Sequence, residues 1–448
     1  MMKSGSTPLP PTSTVSRRGF LSLLAVTSLA SSGLAACGGS SGPGGAGSAT
    51  MWYLSGDPNQ SIKTDTLKSW NNAHPDHQVK VTFFQNDAYK TKIKTAIGAG
   101  QAPTLIYGWG GGTLRQYAKS DQVLDLTDWL EQNPEVKSAV LESTYQAGTV
   151  NGKIYAYPNE NAAPIVLFYN KELFAKAQAQ PPKTWDDLMA LVPVFNEMGV
   201  APISLAGQSV WTSMMWLEYL FDRVGGPQVF NDIYNGKPNA WSAPGAIRAL
   251  TMAQDLVKAK GFIKGFESIT ADSNADQALL YTGKAAMMLH GSWVYSGMKS
   301  SQPEFTDKSL GWQEFPVVSG GKGDPHDSIG NPAQYMSISA KAGKAEVKTA
   351  QDYIANGLMS QAVIDQYIST GQVCVASGIE DKIAASPNKD FLSFAYDLVK
   401  DAPNFQQSWD QALSPTTATT LLNNISKLFG LSTTPQKFAS AMNATLDT

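Results

Sequence analysis

The spacing of apolar residues predicts short buried strands that alternate with amphipathic helices. Apolar runs predict strands at residues 50–54 and 105–107, and an alternating pattern predicts another at residues 79–84. Helical spacing of apolar residues predicts helices at residues 61–72 and 89–99. Strands that alternate with helices indicate an α/β fold with a parallel sheet, in which loops at the strand C-termini face a crevice.

The same alternation continues through the rest of the chain. It predicts further strands at residues 165–169, 203–205, 285–289 and 335–340, and helices at residues 184–199, 214–223, 244–260, 275–281, 346–359 and over most of 388–446. An Asn151-Gly152 pair predicts a hairpin with a type I′ turn. Polar segments with Gly and Pro at residues 159–164 and 327–334 are interpreted as crossings between two lobes.

The pattern of the first fifty residues predicts export of the protein rather than a folded domain. Arg17 and Arg18 stand directly before an apolar run at residues 20–36, which is typical of an export signal and resembles the twin-arginine type. A membrane-spanning helix is disfavoured, because the run is at the short end of the ~17–25 residues that a span needs and is diluted by Ser, Thr and Gly. The string that ends at Cys37 resembles a bacterial lipobox. The sequence therefore predicts a signal peptide at residues 1–36 and a lipidated Cys37 with a flexible Gly/Ser linker at residues 37–49.

The composition of the chain disfavours some classes of binding partner and favours others. The formal net charge is −3, and residues 1–36 carry cations but no acid, so the remaining chain is still more acidic, without any basic block. This disfavours nucleic acid as a partner. Beyond residue 36 the only arginines are Arg115, Arg223 and Arg248, against eleven Trp and sixteen Tyr in the chain. Because Arg is the favoured partner of carboxylate and phosphate groups, an aromatic-rich and Arg-poor chain predicts a neutral ligand with apolar faces.

No cofactor or metal site is predicted. The His74-Pro75-Asp76-His77 string is interpreted as a solvated turn rather than half a metal site. The glycine-rich segment 108–112 lacks the spacing of a dinucleotide fingerprint. Its glycines are expected to let the backbone approach a ligand closely, while Trp109 projects into the crevice.

Several strings resemble the extracellular solute-binding proteins of ABC importers, in the large family that contains the maltodextrin-binding protein. They are Tyr157-Pro158 followed by residues 167–174, the string at residues 182–188, and residues 283–287 leading to Gly291-Ser292-Trp293. The resemblance implies a two-lobed α/β fold of the type II periplasmic-binding kind, with the ligand in a cleft between the lobes and a third crossing near residues 382–388. It implies an N-terminal lobe at residues 50–159 plus 333–384 and a C-terminal lobe at residues 160–332 plus 385–448.

The resemblance also implies ligand-contacting residues. Trp109, Trp293 and Trp409 match positions where the family stacks aromatic rings on sugar, and Glu160 lies near a ligand-bonding acid after the Tyr-Pro pair. The chain departs from the maltodextrin-binding pattern, because Gly112-Thr113 stand where that pattern has an Asp-Arg pair. The hydrogen-bonding set, and therefore the sugar, is expected to differ. Carboxylates and amides, such as those of Glu160, Asn159, Gln208 and Asn331, would bond the sugar hydroxyls and set specificity. The other predicted site residues are Asn159, Gln208, Asn331, Ser55 and Trp211, the last equally compatible with a core position.

The function that this resemblance implies is that of a monomeric substrate-binding lipoprotein on the outer face of the cytoplasmic membrane. It would capture a neutral di- or oligosaccharide and deliver it to the transmembrane permease subunits of an ABC transporter, without chemical change. The alternative is a lipid-anchored secreted glycoside hydrolase, which needs two carboxylates ~5–9.5 Å apart across the scissile bond. Glu160 and Glu218 could be proposed for that pair, although nothing in the sequence singles them out.

Overall fold

The computed structural model describes residues 47–446. The predicted signal peptide at residues 1–36, the lipidated Cys37 and most of the predicted linker lie outside the described residues. Among the described helices, none combines the length and apolar character that crossing a membrane would require.

Strands and helices alternate along the described chain, as the apolar pattern predicts. The strands are β1 (Ala49–Leu54), β2 (Val79–Phe84), β3 (Leu105–Gly108), β4 (Thr149–Val150), β5 (Lys153–Ile154), β6 (Tyr157–Asn159), β7 (Ala163–Asn170), β8 (Ala201–Ser204), β9 (Ala285–Gly291), β10 (Leu310–Gln313), β11 (Ser328–Asn331), β12 (Gln334–Ile338) and β13 (Phe405–Gln407).

The α-helices occupy most of the intervening chain. They are α1 (Asn59–Ala73), α2 (Asn86–Gly98), α3 (Gly111–Lys119), α4 (Thr127–Gln132), α5 (Pro134–Ser138), α6 (Lys171–Lys176), α7 (Trp185–Glu197), α8 (Trp211–Gly225), α9 (Pro227–Tyr234), α10 (Pro244–Lys258), α11 (Ala275–Tyr281), α12 (Trp293–Ser301), α13 (Pro303–Lys308), α14 (Lys344–Tyr353), α15 (Gln361–Ser369), α16 (Glu380–Ala385), α17 (Lys389–Lys400), α18 (Trp409–Ala412), α19 (Pro415–Phe429) and α20 (Pro435–Asn443). Short 3₁₀ turns lie at Glu142–Gly148, Ala240–Ser242, Phe266–Ser268 and Ala271–Ser273, and a π-helical turn at Ile354–Leu358.

The first sheet has the strand order β2-β1-β3-β12-β6. Strand β1 pairs parallel with β2 and with β3, which confirms the predicted parallel arrangement for this part of the chain. Strand β12 returns from far along the sequence and pairs antiparallel with both β3 and β6. The sheet is therefore mixed rather than purely parallel. The carboxyl end of β3 points into the loop that carries Trp109.

The second sheet has the order β13-β11-β7-β9-β8, with β10 pairing to β7 beside that path. Strands β7 and β9 are antiparallel, and β8 joins β9 in parallel. Strands β4 and β5 form the predicted hairpin. Both of its turn residues, Asn151 and Gly152, have positive φ angles, as a type I′ turn requires.

Each sheet has its own apolar core, which confirms the predicted two-lobed α/β fold. Met51, Leu105 and Met336 belong to the core of the first lobe, and Leu167, Leu217 and Leu289 to that of the second. A further cluster joins helices α15 and α17 to β7, and it also includes Ile62 of α1. Because this cluster mixes residues from both predicted domains, the domain boundaries stay a prediction.

The chain passes between the sheets at two places close to the predicted crossings. It leaves β6 of the first sheet and enters β7 of the second over residues 160–162, and it returns from β11 to β12 over residues 332–333. A third segment, residues 373–375, lies beside the first crossing. Two backbone hydrogen bonds join them, from Ala162 N to Val373 O at 3.0 Å and from Val375 N to Glu160 O at 2.9 Å. This segment comes earlier in the chain than the third crossing expected at residues 382–388.

Candidate ligand-binding site

Three adjoining cavities lie between the lobes, around Trp109 and Trp211. The large chamber, of about 640 Å³, extends to helix α19. The small chamber, of about 230 Å³, extends to Glu160 of the first crossing and to Asn331 at the end of β11. A neck of about 50 Å³ shares residues with both chambers. Trp109 and Trp211 line all three spaces, so the cavities form one aromatic cleft.

Three half-buried indoles line this cleft. Each belongs to a residue that directly follows a strand or begins a helix at the edge of the cleft. Trp109 follows β3, Trp211 begins α8, and Trp293 begins α12 directly after β9. The ring centroids of Trp211 and Trp293 are 6.1 Å apart, with an interplanar angle of 42°. The Lys90 ammonium lies 4.9 Å from the Trp109 centroid and 5.7 Å from the Trp211 centroid, so it stands near both rings. The structure therefore brings predicted Trp residues of both lobes together.

Three predicted polar residues line the small chamber, each with one unpartnered buried oxygen. They are Ser55 Oγ, Glu160 Oε2 and Asn331 Oδ1, none of which has a hydrogen-bond partner in the described part of the chain. Carboxylate and amide oxygens can only accept hydrogen bonds, and a hydroxyl can accept as well as donate. Since an unmet buried polar atom costs ~1–3 kcal/mol, these oxygens favour a ligand that presents several donors.

Glu160 is held rigidly at the first crossing. Its backbone has a positive φ of 62°, and its carbonyl oxygen accepts from Val375 N. Its Oε1 accepts the hydroxyl hydrogen of Tyr53. Burial raises the pKa of Glu160, while the nearby Lys63 charge and the Tyr53 bond act in the opposite direction. Burial also lowers the pKa of Lys63, whose side chain is buried near Glu160. Only Oε2 of this carboxylate is left to accept from a ligand.

His290 is a cleft residue that the sequence analysis missed. Its Nδ1 accepts the backbone N–H of Gly291 at 2.9 Å, so the ring hydrogen belongs on Nε2, which lies 3.3 Å from Asp276 Oδ2. The imidazole edge meets the rings of Trp211 and Trp293 with centroid separations of 5.4 and 5.2 Å. His290 thereby braces two indoles. Its place directly before the Gly-Ser-Trp string is a local signal, but the pairing with Asp276 depends on the tertiary fold.

Asp87 was also missed, and it joins the two lobes. Its carboxylate accepts from Trp211 Nε1 at 3.2 Å and from Ser209 Oγ at 2.8 Å. Lys90, one turn further along α2, pairs with Asp410 at 3.0 Å. Burial and the Asp87 charge raise the pKa of the neighbouring Asp272. These contacts hold the lobes together across the cleft, so the structure has a closed arrangement.

The remaining predicted residues are placed differently. Gln208 lines the large chamber. Asn159 is buried with both amide atoms unpartnered among the described residues, yet it lines none of the described cavities. Trp409 is fully buried in the second core, stacked on Phe230 with a centroid separation of 5.4 Å and an interplanar angle of 9°. The expectation that Trp409 offers an open face to a ligand is therefore not met in this structure.

The carboxylate pair considered for a hydrolase is also separated. Glu218 is buried in the second lobe, accepts the backbone N–H of Trp409 at 2.6 Å, and lines none of the described cavities. Glu160 lines the small chamber. The two carboxylates do not face one shared cavity in the described structure. Within residues 47–446, no three His, Cys, Asp or Glu side chains are grouped as metal ligands would be.

Comparison with known proteins identifies one family. The sequence model described as bacterial extracellular solute-binding protein matches residues 55–359. A solved structure from work on xylan utilization by the thermophilic bacterium Caldanaerobius polysaccharolyticus is similar, with a TM-score of 0.81 and 28% identity, covering 89% of this chain and 99% of that one.

Two curated relatives extend the comparison. An uncharacterized ABC transporter extracellular-binding protein of Pyrococcus horikoshii is 27% identical over 64% of this chain and 67% of its own length. The multiple sugar-binding protein of Streptococcus mutans is 25% identical over 85% of this chain and 87% of its own length. With other curated relatives the match spans about half of their length, 53% and 48% in two cases.

Proposed function

The chain belongs to the bacterial extracellular solute-binding protein family, and we propose that it captures a neutral di- or oligosaccharide and delivers it to the membrane permease of an ABC transporter. The observation that carries this proposal is the small chamber. It combines the indole of Trp293 with the unpartnered oxygens of Ser55, Glu160 and Asn331. A hydroxyl-rich ligand with flat apolar faces satisfies both features.

The physical fit to a sugar has two parts. A pyranose has flat C–H faces, and an indole that covers one face removes it from water, which contributes on the order of 1–2 kcal/mol at ~25 cal/mol per Å². The ring edges carry hydroxyl hydrogens, which the three unpartnered oxygens accept. The name of the Streptococcus mutans relative, multiple sugar-binding protein, supports the same class of ligand.

Capture would proceed by closure of the lobes over the ligand. The crossings at residues 160–162 and 332–333 are short, and they connect lobes that each have their own core. Contacts across the cleft, such as that from Trp211 to Asp87, form only when the lobes meet. A ligand that touches both lobes favours this closed form, because it makes contacts that the open form lacks.

We also propose the location and state predicted from the sequence. The chain would be a monomer anchored by lipid at Cys37 to the outer face of the cytoplasmic membrane, after removal of residues 1–36. The Gly/Ser-rich segment after Cys37 would act as a flexible tether. Incorporation of labelled palmitate into the wild-type chain, and its loss in Cys37→Ala, would support the anchor. Equal labelling of the wild type and of Cys37→Ala would contradict the proposed anchor.

The proposed function includes no chemical change of the sugar. The hydrolase considered in the sequence analysis finds no support, because Glu160 and Glu218 do not face one shared cavity in the described structure. One experiment tests the two functions directly. The purified protein is titrated with a panel of neutral di- and oligosaccharides while Trp fluorescence is recorded, and the mixtures are then analysed for products. Saturable fluorescence change with intact sugar supports the receptor, whereas release of shorter sugars supports the hydrolase. No binding of any neutral sugar would contradict both.

A further inference from the structure

A further cavity lies between the lobes, apart from the aromatic cleft. This hinge cavity, of about 310 Å³, is lined by Pro332 of the second crossing, by Arg115 and Gln146 of the first lobe, and by Tyr234 and Gln406 of the second. Its size falls within the ~300–1,000 Å³ range of small-molecule sites. Trp109, Trp211 and Trp293 are not among its lining residues.

The charge of the hinge cavity differs from that of the cleft. Arg115 is the only charged residue in its described lining. In contrast, carboxylates line both chambers of the cleft, with Asp87 and Asp410 in the large one and Glu160 in the small one. The hinge cavity therefore has a positive lining, where an oxyanion meets no competing carboxylate.

The Arg115 guanidinium is held in place without a carboxylate partner. Its Nη1 donates to Tyr234 Oη at 2.7 Å and its Nη2 donates to Ala412 O at 2.6 Å, so it joins the two lobes. The guanidinium carbon also lies 5.1 Å from the Tyr234 ring centroid. Across residues 47–446, no carboxylate forms an ion pair with it within 4.0 Å. The side chain is partly buried, and a cation removed from water favours a counterion.

Gln406 supplies an independent indication of a ligand. Its side chain is 7% exposed, and its Nε2 has no hydrogen-bond partner among the described residues. An unpartnered buried N–H group needs an acceptor. The two bonds to Tyr234 and Ala412 use two of the five N–H donors of the guanidinium. The remaining N–H groups of Arg115 and the amide donor of Gln406 match the oxygens of a carboxylate or a phosphate.

We propose that the hinge cavity is a second small-molecule site, which binds an oxyanion through Arg115 and the Nε2 of Gln406. This site is separate from the proposed sugar cleft, and its ligand is recognised by charge rather than by aromatic stacking. Carboxylate and phosphate share the required chemistry. The test therefore uses glucuronate and inorganic phosphate as separate probes.

The experiment is calorimetric titration of the purified protein with each probe. Saturable binding of at least one probe is expected, and Arg115→Gln should weaken it at least about tenfold, because a charge-assisted contact is lost. Arg248→Gln, which changes an arginine outside this cavity, should leave it unchanged. Trp293→Ala should also leave it unchanged, which separates this site from the sugar cleft.

A second variant guards against an indirect effect of Arg115 on folding or lobe contact. Gln406→Met keeps a side chain of similar length and removes the N–H donor, so it should weaken probe binding while the melting temperature stays close to that of wild type. No saturable binding of either probe up to about 10 mM would overturn the proposal. Binding that survives Arg115→Gln, or that falls in Trp293→Ala, would overturn it as well.

Discussion

Gly112 at the start of helix α3 lies against the backbone carbonyl of Leu413 in the second lobe. A β-carbon added to Gly112 would lie under 3.0 Å from Leu413 O, a separation that real Cβ contacts essentially never show. A β-carbon added to Gly111 would likewise lie under 3.0 Å from Gln411 O. The glycine-rich segment was expected to let the backbone approach a ligand. In this structure Gly111 and Gly112 let the two lobes touch, and the approach of a ligand to this segment stays a prediction.

Gly112→Ala should therefore impair closure rather than folding. The added methyl group collides with a backbone carbonyl that cannot move aside within its lobe, so the closed population decreases and the apparent sugar affinity falls by about tenfold or more. The measurement is fluorescence titration with the best sugar of the panel. Gly98→Ala is the matched control, because a β-carbon there meets nothing within 4 Å. Equal affinities in the two variants would show that this contact does not limit closure.

Trp293→Ala should weaken sugar binding with little loss of stability. The indole is half-buried and lines the small chamber, so its removal deletes one stacking face, which corresponds to roughly 5- to 30-fold in Kd. Calorimetric titration measures the change. Trp129→Ala serves as control, since Trp129 is also half-buried but lines none of the described cavities. An unchanged Kd in Trp293→Ala would remove this residue from the site.

Trp409→Ala should behave in the opposite way. Its indole is fully buried against Phe221, Phe230 and Trp241, so truncation leaves a cavity and should lower the free energy of unfolding by about 3–5 kcal/mol. Denaturant unfolding gives the value. The fraction that remains folded should bind sugar nearly as well as wild type. Unchanged stability with a selective loss of affinity would restore the stacking role that the family resemblance implies.

Stability should decrease as pH rises from about 5 to about 8. Burial raises the pKa of Glu218 to about 8, against an ordinary value of 4.5. In that window the folded protein keeps a proton that the unfolded chain releases, so the free energy of unfolding falls by up to about 1.4 kcal/mol per pH unit, and the loss is complete above the folded pKa. Burial raises the pKa of Asp222 as well, which acts in the same direction.

Glu218→Gln tests the origin of this pH dependence. The amide keeps an oxygen that can accept from Trp409 N and removes the titrating proton. Denaturant unfolding at a series of pH values should therefore show a smaller slope for the variant, and the remaining slope comes from the other carboxyl groups whose pKa is raised, such as Asp222, Glu160 and Asp272. Identical slopes for wild type and variant would mean that Glu218 titrates at its ordinary value.

Local sequence patterns were sufficient to predict most of the fold. Apolar spacing placed β1, β2, β3, β7, β8, β9 and β12, but it missed β10, β11 and β13, the last within a stretch that was expected to be mostly helical. Thr184 and Asp187 form a capping box at the start of α7, where a helix was predicted. The polar segments at residues 159–164 and 327–334 contain the short connections between the sheets, at residues 160–162 and 332–333, although residues 328–331 of the second segment form strand β11. The antiparallel return of β12 was not predictable, since it pairs with strands more than 170 residues earlier.

The cleft was predictable where a residue lies at a strand end and not where its role depends on packing. Trp109 and Trp293 follow strands, so their direction toward the crevice could be inferred. Asp87, on α2, reaches Trp211 only because the lobes meet. Trp409 follows β13 in the same manner as Trp109 follows β3, yet the second core encloses it. Sequence position alone does not distinguish those two outcomes.

We propose that this cleft holds a sugar through aromatic faces and through hydrogen-bond acceptors near the crossings between the lobes. The most direct measurement is a crystal structure with the sugar that binds most tightly in the panel. We expect a pyranose ring against Trp109, Trp211 or Trp293, with hydroxyls within hydrogen-bonding distance of Glu160 Oε2 and Asn331 Oδ1. A sugar bound elsewhere, or one that touches none of these indoles, would contradict the account.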